Sequence, residues 1–207
     1  MSPSMSDDRT ARERLLVAAV ELFTVRGYAA TSVREIVEAA EVTKPVLYYH
    51  FGSKEGIYLE ILAELRRRLG SLLADLAAGE GGARARIERL FLGIYDEFEQ
   101  QAPLVRFLNG ILWGPTQGAP PFDVESLHRP LHDHVQAIVV EGIARGELRP
   151  ADPEEITIAL VALLAFSMDL QLCHPDWGLG RTGLARLLDL AFTGVAVATP
   201  AVQETSR

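Results

Sequence analysis

The stretch from Thr31 to Lys54, TSVREIVEAAEVTKPVLYYHFGSK, restricts the fold of this chain more than any other. Val33, Ile36, Val37 and Ala40 recur at i, i+3, i+4 and i+7, so four apolar side chains share one face of a short helix. Ser32 followed by Glu35 reads as a capping box at its start, with Thr31 as the alternative cap. Ala39 and Ala40 are small enough for a second helix to approach closely, Val42 fills the turn, and Thr43 caps that second helix. Pro45 falls in its first turn, where the missing N–H is harmless and the fixed φ suits a helix start. Leu47 and Phe51 face inward, which leaves Lys44, Tyr48, Tyr49 and His50 on or near the outside. Two short helices joined this way make a helix-turn-helix with a recognition helix of little more than two turns.

The flanking residues supply its support. A first helix is expected from about Arg9 to Val25, with Leu15, Leu16, Ala19, Leu22 and Phe23 as its buried stripe and Gly27 as its stop. Phe23, Tyr28 and Phe51 are read as core packing behind the two reading helices. From Ser53, as N-cap, a fourth helix runs toward residue 78 and is long enough to belong to both halves of the protein. Its Arg66, Arg67 and Arg68 are read as a solvated face paired with Glu60 and Glu64. Gly79-Glu80-Gly81-Gly82 is flexible punctuation and marks the expected boundary. The division is therefore a helix-turn-helix domain over 9–53, a linking helix over 54–78, and a helical domain over 83–200.

That second half reads as helical throughout. Ala83–Gln101 carries Ile87, Leu90, Phe91, Ile94, Tyr95 and Phe98 on one wide stripe, and Ala102-Pro103 opens a shorter helix. Gly114–Phe122, GPTQGAPPF, must be a loop. Further helices are expected over Asp123–Ala144, from the start signal Asp152-Pro153-Glu154-Glu155 through Ile156–Leu172, and over about Thr182–Val197. No strand pattern is legible, so the fold class is all-α, with about nine helices.

Charge and cysteine usage narrow the function. The formal net charge of −8 argues against a nucleic-acid binder until its distribution is read. Residues 1–70 hold ten basic and ten acidic residues, and residues 71–207 hold ten and eighteen. Both lysines of the chain, Lys44 and Lys54, lie in the helix-turn-helix, so nucleic acid is compatible with the tip alone. A single Cys173 allows no intrachain disulfide, and the polar residues 1–10 are unlike a signal peptide. The expectation is a cytoplasmic protein.

Ile156–Leu172 is apolar nearly all round but is interrupted by Thr157, Ser167, Asp169 and Gln171, which argues against a membrane span. A helix apolar on every side is buried on every side, and a partner subunit most simply covers one face. A two-fold dimer is also what a short recognition helix needs, since two copies read two half-sites.

Leu22-Phe23, Gly27-Tyr28, Thr31-Ser32-Val33, Ile36, Ala40, Val42-Thr43, Pro45, Leu47-Tyr48, His50-Phe51 and Ser53-Lys54-Glu55 together resemble the TetR family of transcriptional regulators, in register over roughly residues 9 to 65. Two departures are Val37, where the family usually has Ala, and Glu41, where it usually has Gly. If residue 41 adopts a positive φ, Glu there costs roughly 1 kcal/mol relative to Gly. The resemblance implies a DNA-binding surface at Thr31, Ser32, Arg34, Thr43, Lys44, Pro45, Tyr48, Tyr49, His50 and Lys54. Within it, Tyr48, His50 and Lys54 would meet phosphates, while Thr43, Lys44, Pro45 and Tyr49 would lie near base edges. It further implies a homodimer through the last two long helices, about 156–172 and 182–197, and a repressor released from its operator by a small, mostly apolar ligand.

No catalytic signature, phosphate loop or cysteine pair appears in the second half, so no enzyme and no cofactor are expected. Aromatic bulk above what short helices need points to a pocket for the ligand, with Phe91, Tyr95, Phe98, Phe107, Leu108, Trp113, His132 and Met168 as its candidate lining. The loop over 114–122 would leave the cavity beneath it. Glu125, His128 and His132 share a helical face, which offers a metal-responsive regulator as the alternative. A small-molecule-binding protein or enzyme with an unused reading head is the remaining one.

Overall fold

Thr10 opens the first helix, α1 (Ala11–Ala30), by a capping box: its hydroxyl accepts from the Glu13 N–H, and the Glu13 carboxylate accepts from the Thr10 N–H. Gly27, at φ 78°, interrupts α1, and a last turn through Tyr28 carries the chain to Thr31. Gly27 therefore ends the regular helix as expected, since its φ of 78° and ψ of 164° are non-helical, and the residues to Ala30 form a separate short turn beyond the kink. The computed structural model describes residues 10–77, 80–113, 118–123 and 125–194, with only the backbone of Ala77, Leu112, Trp113 and Pro175.

The remaining elements are α2 (Val33–Ala39), α3 (Lys44–Phe51), α4 (Lys54–Ala77), α5 (Ala83–Gln100), α6 (Ala102–Trp113), α7 (Glu125–Ala144), α8 (Pro153–Cys173), a short 3-10 turn (Pro175–Trp177) and α9 (Gly180–Thr193). Among the described residues there are nine α-helices and no strand, the all-α class expected. The expected extension of the last helix to Val197 falls outside the described residues.

Two apolar clusters hold these helices together. The first gathers Leu15, Ala19 and Phe23 of α1, Ile36 and Val37 of α2, Leu47 of α3, and Ile57, Tyr58 and Ile61 of α4. The second is built from α5, α7, α8 and α9, with Leu73 from the far end of α4. α4 thus contributes to both, as its length requires. α6 does not divide as the sequence boundary implies. It packs along α1, and its Phe107 is buried in the first cluster with Leu104, Ile111 and, from the loop, Ala119 and Phe122 beside it. The described part of the loop therefore lies against the helix-turn-helix core, while residues 114–117 are outside the described residues.

Arg67 lies 3.0 Å from Glu60 and 2.6 Å from Glu64, and Arg68 2.7 Å from Glu64, so these two arginines are tied to α4's own acids. α8 is the outlier in packing. By length and composition it could cross a bilayer, with a mean hydropathy of 2.0, yet only 17% of that stretch is buried within one chain.

Candidate functional site

The reading surface starts from α2. Ser32 closes a capping box with Glu35, whose carboxylate also pairs with Arg26 at 2.5 Å. Hydrogen bonds from Ser32 and the charge of Arg26 hold the Glu35 carboxyl below its ordinary range. At the other end of α2 the chain turns through Glu41, whose φ of 52° is the only positive value at a non-glycine among the described residues. The Val42 N–H donates to the Val37 carbonyl at 3.0 Å and the Glu41 N–H to Glu38 at 3.2 Å. These are the two bonds of a Schellman turn, with Glu where Gly is usual.

Thr43 sits at the N-cap of α3 but makes no side-chain capping bond, and Pro45 lies in the first turn. Leu47 is fully buried. Around it Thr43, Lys44, Pro45, Tyr48, Tyr49 and His50 are exposed, Tyr49 to 85% and Tyr48 to 50%. The Tyr49 and His50 rings meet edge to face at 5.1 Å. Among the described residues Lys44 enters no ion pair, whereas Arg34 is 2.7 Å from Glu38 and Arg12 2.6 Å from Glu60. An uncommitted ammonium beside two exposed phenol rings can donate to an anionic or base-edge acceptor without first breaking a bond.

Two of the ten expected DNA-contact residues have their polar atoms engaged within the protein. Thr31 is 1% exposed, and its hydroxyl donates to the Gly27 carbonyl at 2.8 Å, with that of Leu22 at 3.3 Å. Lys54 Nζ donates to the carbonyls of Tyr28 at 2.9 Å and Thr31 at 2.8 Å, and stands 4.1 Å over the Tyr28 ring. Burial lowers its proton affinity. Ser32 and Arg34 are exposed but engaged with Glu35 and Glu38 respectively.

Sequence reasoning missed Gly56. Ser53 Oγ accepts its N–H at 2.9 Å, and a Cβ on it would stand 1.9 Å from the Phe51 carbonyl oxygen. The end of the recognition helix therefore lies directly against the first turn of α4. The Ser-Lys-Glu-Gly sequence held the signal: a glycine at the third position after an N-cap serine has no helical reason to be there.

The expected pocket residues do not converge. Phe91, Tyr95 and Phe98 are buried in the second cluster, with Met168 half-buried against it. Phe107 is stacked instead on Phe23, with centroids 6.1 Å apart, and meets Tyr58 edge-on at 5.6 Å. Leu108 is half-buried on α6, and the side chain of Trp113 lies outside the described residues. His132 is half-exposed, 3.0 Å from Glu154 at the start of α8 and 3.4 Å from Asp133. A cleft of about 340 Å³ does open between α5, α8 and α9, lined by Tyr95, Leu163, Phe166, Ser167 and Leu187 among others; Tyr95 is the one expected residue in it.

The suggested metal face fares no better. Glu125 is paired with Arg129 and His132 with Glu154, and no group of three ligating side chains converges among the described residues.

Comparison with known proteins agrees with this geometry. Residues 15–61 match the family described as bacterial regulatory proteins, tetR family. The transcriptional activator FasR of Mycolicibacterium smegmatis is 53% identical over 51 residues, 25% of this chain and 23% of that protein. The transcriptional repressor KstR2 of Rhodococcus jostii is 35% identical over 103 residues, 48% of this chain and 50% of that one. The chain thus aligns with half or less of the length of these curated relatives. In fold the likeness is wider. The crystal structure of the TetR family regulator PfmR from Thermus thermophilus superposes with a TM-score of 0.73 at 25% identity, over 91% of this chain and 99% of that one. A helix-turn-helix with an exposed recognition face thus matches the tetR family of bacterial regulatory proteins in sequence over residues 15–61, and the chain is similar in fold to a TetR family regulator over nearly its whole length.

Proposed function

We propose that this protein is a ligand-responsive transcriptional regulator that binds a palindromic operator as a homodimer and represses until a small, mostly apolar ligand releases it. The observation that carries the reading is the outward row on α3: Thr43, Lys44, Pro45, Tyr48, Tyr49 and His50, all exposed around a buried Leu47. Lys44 and Tyr49 are assigned to base edges, and Tyr48 and His50 to phosphates. Ser32 and Arg34 approach the backbone from α2, Arg34 by exchanging Glu38 for a phosphate. Thr31 and Lys54 drop out of the contact set because their polar atoms are engaged within the protein.

Dimerisation is assigned to α8 and α9. Phe166 and Ile158 of α8 are 65% and 55% exposed, and Leu190 of α9 is 45% exposed, more apolar surface than one chain leaves to water without a partner. The same covering explains a helix of this hydropathy in a cytoplasmic protein rather than a membrane one. The functional division is a reading head over 9–53, a shared linking segment over 54–78, and a ligand and dimer half over 83–200, with α6 packed across the division. To switch occupancy from nearly full to nearly empty, the ligand must favour the DNA-incompetent state by about 5.5 kcal/mol.

The test is selection from randomised duplex DNA, with a Lys44→Ala/Tyr48→Ala double variant alongside. A palindromic consensus retained by the wild type and lost by the variant is the expected result. No enrichment at low salt by folded, dimeric protein would refute the reading.

A further inference from the structure

We infer that Lys54 is a positioning residue of the reading head, holding the start of α2 against the first turn of α4, and not a phosphate contact. This rests on the DNA-binding reading above. An ammonium has three N–H donors. One goes to the Tyr28 carbonyl, one to the Thr31 carbonyl, and the third faces the Tyr28 ring 4.1 Å away. No donor is left to point outward.

The acceptors matter as much as the count. Tyr28 and Thr31 bracket the corner between α1 and α2, and Thr31 directly precedes the N-cap Ser32. The Thr31 N–H donates to the Tyr28 carbonyl at 3.3 Å and its hydroxyl to Gly27, so the corner is already bonded to itself, and Lys54 adds a second donor to the Tyr28 carbonyl and one to the Thr31 carbonyl. Gly27, at φ 78°, kinks the chain directly before Tyr28. On the opposite side, the Phe51 carbonyl rests on the bare Cα of Gly56, two residues beyond Lys54. Both reading helices therefore take their position from the same turn of α4: α2 through the Lys54 ammonium, α3 through the close approach at Gly56. Removing the ammonium frees α2 to move relative to α3 while removing none of the outward side chains.

The experiment measures DNA affinity of Lys54→Met against the wild type, on duplex DNA retained by the wild type, at salt from about 50 to 200 mM, with unfolded protein removed from the active fraction. A positioning residue weakens binding by about tenfold or more at every salt, as a parallel displacement, because the phosphates contacted are unchanged in number. A lost phosphate contact in each subunit would instead lower the slope by about 1.8, so that the ratio of affinities shrinks about tenfold across that range. That convergence overturns the proposal, and so does an unchanged affinity. Acylation of the native wild type provides a readout that needs no variant, since Lys44 and Lys54 are the only lysines. Lys54 is expected to react far more slowly than Lys44 without DNA, and DNA is expected to slow Lys44 alone. Equal rates in the free protein, or protection of both by DNA, would refute the assignment. If the wild type retains no DNA at all, the regulator reading fails, and the free-protein rates still decide whether the ammonium is engaged.

Discussion

Replacing Glu41 by Gly should stabilise this protein, and the turn after α2 shows by how much. Glu41 holds φ 52°, where the Cβ of an L residue crowds the following carbonyl at a cost of about 1–2 kcal/mol. Glycine has no such crowding but loses more backbone freedom on folding, which returns about 0.5–1 kcal/mol of that gain. The Schellman bonds, 3.0 Å from Val42 and 3.2 Å from Glu41, use backbone atoms and survive the change. Removing a carboxylate from the C-terminal end of α2, beside Glu38, adds a few tenths of a kcal/mol at low salt. The net expectation for Glu41→Gly is a gain of about 1 kcal/mol, a rise of about 2–4 °C in Tm for a chain of this size. Urea unfolding with an unchanged m-value measures it. Glu41→Gln separates charge from conformation and should recover only the electrostatic part, while Glu41→Asn, whose side chain tolerates the left-handed region, should fall between. A Gly variant no more stable than the Gln variant would refute the claim that the backbone is strained here.

Gly56→Ala should destabilise by about 3 kcal/mol or more, because its methyl would stand 1.9 Å from the Phe51 carbonyl and α3 must move; urea unfolding reads the loss and DNA binding the displacement. Phe107→Ala should cost about 3–5 kcal/mol and raise amide exchange in α1 as well as α6, since its ring is packed on Phe23 and Tyr58. Phe166→Glu should give a monomer by sedimentation if α8 is the dimer face, with DNA affinity lost in parallel. The Glu64 carboxyl is held below its ordinary range by hydrogen bonds from Arg68 and then Arg67. A lowered folded-state pKa contributes stability that is present above the unfolded carboxylate value and lost as pH falls through the folded one, so Glu64→Gln should flatten the acid limb of a stability profile.

Legibility followed how local the determining interaction is. The Ser32–Glu35 box, Pro45 in the first turn of α3 and the inward Leu47 are set within four residues of sequence, and the structure has each as read. The Glu41 turn is local too, and its departure from glycine was visible before its φ was. The internal bonds of Thr31 and Lys54 are not legible in sequence for the opposite reason. A polar residue in an exposed motif looks outward until the backbone carbonyls that capture it are known, and for Lys54 those belong to a corner 23 and 26 residues away. Gly56 was legible in principle, but only as an anomaly.

The aromatic residues of the second half mark where periodicity stops informing. Phe98 and Phe107 both occupy apolar faces of helices that are consecutive in the chain, yet Phe98 meets Tyr95 at 5.2 Å while Phe107 lies in the core of the reading head. Spacing states which face of a helix is apolar but not which neighbour covers it, and α6 is covered by α1. The consequence reaches the switching reading. A ligand that moved α6 would act on α1 through Phe107 directly, and on α3 only through what α1 and α4 transmit. Weakening that ring contact without unfolding the head, as Phe107→Leu should, is therefore expected to reduce ligand-driven release more than DNA affinity itself. Equal loss of both would mean that Phe107 supports the reading head and carries no signal to it.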